Sequence, residues 1–150
     1  MAVPFLSRLF VKTGILYLLV TFIAGAVMLS LEALGHGIPP IIGIEHGHAG
    51  FVGWLVNTVI GIAYWLLPLN RARFPAAQGR YPERMALASY VLLNAGLIVR
   101  LLCEPWYVLH PNAAASILLL ASAVLQVGGI AAFAWIGWQR LYPPPLRPEV

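Results

Sequence analysis

Four apolar runs constrain this chain most, each close to the ~20 residues a helix needs to cross a lipid bilayer. They are expected over residues 13–34, 46–67, 85–103 and 113–138. Lipid offers no hydrogen bond to a free amide or carbonyl, so each run must satisfy its backbone internally, as a helix. Short connections then make successive helices antiparallel neighbours. The expected fold is all-α: an integral membrane four-helix bundle forming one transmembrane domain over residues 1–150. Composition agrees, with 61% hydrophobic and 9% charged residues, whereas a soluble domain carries about a quarter charged. The run Gly14 to Leu31 is too long for a usual signal core and is expected as an uncleaved first span.

The basic residues set a topology. Arg8, Lys12, Arg71, Arg73, Arg80, Arg84, Arg140 and Arg147 lie in segments that fall on one side of the membrane, and the loops of the other side carry none. By the positive-inside rule both termini are expected in the cytoplasm, in a cell inner (plasma) membrane. The net charge of +4 therefore reports topology, with no nucleic-acid partner. Gly35-His36-Gly37-Ile38-Pro39-Pro40 breaks the chain after the first span. Glu104 to Pro111 reads as a short loop with Trp106 and Tyr107 at the interface, and the tail after Trp138, from Arg140 onward, as extended. The lone Cys103 has no internal disulfide partner.

All four histidines, His36, His46, His48 and His110, then fall on the outer side, with Glu32, Glu45, Glu104, Cys103 and Arg100. The second span is expected to start near His46. Below it, His46, Gly50, Gly53, Asn57, Gly61 and Tyr64 are spaced 4, 3, 4, 4 and 3 apart, which places them on one helix face. Such a glycine groove under an imidazole admits either a flat group or another helix. His46 and His48 point nearly opposite ways on a regular helix, so one metal would need His110 or His36 from a neighbouring loop. The plain alternative is that these are interfacial histidines satisfied by water or headgroups. Arg100, inside the third span, must be paired or snorkel. Either Glu104, four residues on, takes it, or it holds a carboxylate such as a haem propionate. Asn94, Ser122, Gln126 and Gly129 suit helix–helix hydrogen bonding and close packing. No nucleophile–base pair, phosphate loop or paired catalytic carboxylates stand out, so the sequence does not assign an enzymatic activity.

His46-Gly47, Ile60-Gly61 and Leu67-Pro68-Leu69 resemble the second transmembrane helix of the catalytic subunit of haem–copper oxidases. There an Ala-His-Gly opening carries an axial ligand of the low-spin haem. His46-Gly47-His48, Gly53-Trp54 and Tyr64 to Pro68 look closer still to small four-span proteins similar to that subunit and to nitric-oxide reductases. Leu92-Leu93-Asn94-Ala95-Gly96-Leu97 resembles the same group. The resemblance covers residues 45–69 well and 90–105 weakly. It implies His46 as an axial ligand of haem b and Arg100 as a propionate partner. The paired histidines and the cross-linked His–Tyr of the oxygen-reducing site are missing, so oxygen or nitric-oxide reduction does not carry over. The oxidase subunit is built as three arcs of four helices, which implies that a free four-span relative would assemble as a homotrimer.

Three functions are therefore carried forward. One is haem b binding for electron transfer with a quinol or cytochrome partner, or for binding a gas ligand such as NO or O2. The haem would be cradled by His46, Arg100, Gly50, Gly53 and Asn57, with a second ligand from His110, His48 or a neighbouring protomer. The second is a copper or zinc site among His46, His48, His110, His36 and Glu104. The third is a cofactor-free accessory subunit in contact with membrane lipid.

Overall fold

The computed structural model describes residues 3–142 and is an all-helical four-helix bundle. Its long helices are α1 (Phe5–Ala33), α2 (Pro40–Leu66), α3 (Glu83–Leu109) and α4 (Ala113–Leu141), each long and apolar enough to cross a membrane. The chain is a multi-span membrane protein. The expected extended tail beyond Tyr142, with Arg147, lies outside the described residues.

The helices begin or end beyond their expected limits, for local reasons. α1 starts eight residues before the expected residue 13, taking in the basic Arg8 and Lys12. It stops at a Schellman turn: His36 N–H donates to Leu31 O (2.9 Å) and Gly35 N–H to Glu32 O (3.0 Å), with Gly35 at φ 79°. α2 begins at Pro40, where a missing N–H costs nothing in the first turn. His46 and His48 are therefore inside the helix and not at its mouth. α3 runs through Pro105 to Leu109, so the expected loop from Glu104 is helical, Trp106 and Tyr107 included. α4 begins at Ala113 and is capped by Asn112, whose side chain accepts from Ala115 N–H at 3.0 Å. It extends to Leu141, which puts Arg140 in a helix and not in the tail.

The middle of α2, Ala49–Val56, is π-helical. Its wider turns shift the angle between the residues before and after it. The six-residue stripe consequently splits. Gly50, Gly53 and Gly61 face α1, while Asn57 turns to α3.

α1 packs along α2, and α3 along α4, while α2 and α3 join the two hairpins. α2 and α3 are accordingly the more buried pair. The core, formed by Leu6, Phe10, Ile60, Tyr64, Tyr81, Ala86, Leu93 and Ile136, sits toward the end that carries the termini. Phe10 stacks edge-on to Tyr64 and Tyr90 there, with centroids 5.7 and 5.0 Å away. α3 and α4 touch through Gly96 and Gly129, where a Cβ would lie 2.9 Å from Ser122 O and 2.7 Å from Leu93 N respectively. Ser89 Oγ donates to Gly129 O at 2.8 Å. The polar and small residues of these spans thus serve close packing, as their sequence suggested.

The two helices that end on the terminal side close each other, α2 by Arg140 of α4 and α4 by Asn70 of the connection after α2. The buried guanidinium of Arg140 donates from Nη1 to Tyr64 O (2.7 Å), from Nε to Pro68 O (3.0 Å) and from Nη2 to Leu67 O. Tyr64 O belongs to the last turn of α2, and Leu67 O and Pro68 O follow directly on it. In return, Asn70 Nδ2 donates to Gln139 O (3.0 Å) and Tyr142 O (2.8 Å) at the end of α4.

Candidate functional site

A polar cluster crosses the α2–α3 seam at the end opposite the termini. Glu104 is its centre. Arg100 Nε lies 2.8 Å from Glu104 Oε2, and Arg100 Nη2 donates to Glu104 Oε1 at 3.2 Å. This i,i+4 pair lies along one face of α3. His48 Nε2 approaches Glu104 Oε2 from α2 at 3.6 Å. The Glu45 carboxyl stands beside that of Glu104, and both its oxygens are buried without a hydrogen-bond partner. Cys103, also buried, is a free thiol one residue away.

His46 faces the other way, into the α1–α2 seam. Its ring lies against Gly25, where a Cβ would come within 3.1 Å of Cε1. Nδ1 is buried with no hydrogen-bond partner, although the residue as a whole is only half-buried. An apolar helix seam ordinarily leaves few such orphans, and each one asks for water, an ion or a ligand.

The glycine groove below His46 is filled. A Cβ on Gly50 would meet Thr21 Cγ2 at 3.2 Å, and one on Gly53 would meet the Tyr17 ring at 2.5 Å. Gly61 lies against Phe10 and Ser7 in the same way. The expected resting place of a porphyrin on Gly50 and Gly53 is therefore occupied by side chains of α1. Asn57 is spent as well. Its amide donates to Val52 O, Gly53 O and Asn94 Oδ1 at 3.1, 3.0 and 3.2 Å, and Asn94 Nδ2 returns a bond to Asn57 Oδ1 at 2.9 Å.

His36 and His110 are both exposed, His36 in the α1–α2 connection and His110 at the end of α3. Among the described residues no three His, Cys, Asp or Glu side chains come together in a way that would hold a metal. Of the expected ligands, only His48 and Glu104 meet. The capping role of Arg140 and Asn70 was not legible in the sequence, because it depends on where two distant helix ends arrive. Gly14, Tyr17, Thr21, Gly25, Met28 and Glu32 share one face of the first span, which reads as a helix-packing face. That it packs on Gly50 and Gly53 depends likewise on how the helices approach.

Comparison with models of known protein families, with curated proteins and with solved structures gave no match.

Proposed function

We propose that this chain is a small membrane protein that binds haem b through His46 and serves electron transfer or the binding of a gas such as NO or O2. The supporting observation is the imidazole itself. It is half-buried in an apolar seam, lies in the space that Gly25 leaves open, and has a buried nitrogen without a partner. A bound haem would supply a redox-active iron whose potential follows ligand type and burial. The ring would reach His46 from its accessible side, since Tyr17 and Thr21 fill the face over Gly50 and Gly53. Arg100, half-exposed, would share its guanidinium between Glu104 and a propionate. His48 is engaged with Glu104, so a second axial ligand would come from a neighbouring copy, in keeping with assembly as a homotrimer. Both termini would face the cytoplasm of an inner (plasma) membrane, as the basic residues favour, with a quinol or cytochrome as electron partner.

A second reading, a cofactor-free accessory subunit, is favoured by the filling of the groove by Tyr17, Thr21 and Phe10. Copper or zinc held within one chain has less support, because the candidate ligands stand apart.

The absorption spectrum of the purified protein, before and after haem reconstitution, separates these readings. A Soret band lost in His46→Ala and kept in His110→Ala supports haem binding. No band under either condition leaves the accessory subunit, and stoichiometric copper or zinc without iron selects the metal site.

A further inference from the structure

A cavity lies at the other end of the bundle, far from His46. It measures about 1020 Å³ and opens between the start of α1, the connection from α2 to α3, and the first turn of α3. Three arginines line it, Arg73, Arg80 and Arg84, against one acidic residue, Glu83. Among the described residues none of the three arginines forms an ion pair. Arg73 instead lies over the Tyr142 ring, 4.5 Å from its centroid. The remaining wall is apolar, and two of its members, Phe5 and Leu87, are exposed at the ends of membrane-crossing helices.

We propose that this cavity binds the phosphodiester headgroup of an anionic membrane lipid. Charge complementarity selects a phosphate, because three cations face one anion and a guanidinium matches phosphate geometry with paired donors. The apolar wall selects a lipid as its carrier over a soluble anion. Phe5 and Leu87 continue from the cavity toward the bilayer and would lie along the acyl chains. Basic pockets at the membrane surface between spans are suited to such headgroups. The site is independent of any haem at the opposite end.

The test uses the whole chain, purified in detergent and delipidated. Thermal stability and bound lipid phosphorus are measured after adding phosphatidylglycerol, phosphatidylcholine or inorganic phosphate. Phosphatidylglycerol should stabilise the protein and bind, while phosphatidylcholine and inorganic phosphate should do neither. Each Arg→Gln change at 73, 80 or 84 should weaken phosphatidylglycerol binding about five-fold. Arg84→Lys, which keeps the charge on an exposed side chain, should bind more tightly than Arg84→Gln and guards against a folding defect. Equal binding of both lipids, stabilisation by inorganic phosphate alone, or unchanged binding in the triple Gln variant overturns the proposal.

Discussion

Asn57 of α2 and Asn94 of α3 hold each other across the middle of the bundle, each amide donating to the other's side-chain oxygen. Both residues are buried, and Asn57 also takes up two carbonyls of the π-helical segment just before it. One side chain therefore joins the two hairpins and closes the wide turns of α2.

Asn57→Ala should lower stability by about 1–2 kcal/mol, since it removes the bonds to Val52 O and Gly53 O and leaves Asn94 only Tyr90 O in an apolar interior. Asn94→Ala should cost less, because Asn57 keeps its backbone partners. A double-mutant cycle in detergent unfolding should give a coupling of about 0.5–1.5 kcal/mol. Strictly additive losses would show that the two amides act separately.

Gly53→Ala places a methyl group against the Tyr17 ring and should destabilise by roughly 1–3 kcal/mol through overpacking. Gly47→Ala on the same helix meets nothing within 4 Å, so stability should hold or rise by about 0.5–1 kcal/mol. Equal effects at the two positions, measured by thermal unfolding, would mean that α1 does not occupy the groove.

Arg140→Met retains the apolar stem but removes all three donors from the end of α2. The expected loss is roughly 2–4 kcal/mol, because charged donors to otherwise free carbonyls are among the stronger hydrogen bonds. Arg71→Met, on an exposed neighbour, should stay within about 0.5 kcal/mol of the parent. Matched melting curves for the two variants would rule out the capping role.

Hydropathy alone determined the number of membrane-crossing helices and their antiparallel order, because a backbone in lipid has no partner but itself. Helical spacing also marked the glycines of the second span, which pack closely, and the Arg100–Glu104 pair four residues apart. Proline was a mixed guide. The break expected from Gly35 to Pro40 does separate α1 from α2, whereas Pro105 is carried inside α3. Only the assembled structure decided what fills the groove below His46. Missing side chains create a space that a helix or a ligand can use, and the π-helical turns rotate Asn57 away from the glycines and toward α3. Tyr17 and Thr21 took that space. Periodicity shows which residues share a face, but what that face meets depends on how distant helices approach, which no local pattern encodes.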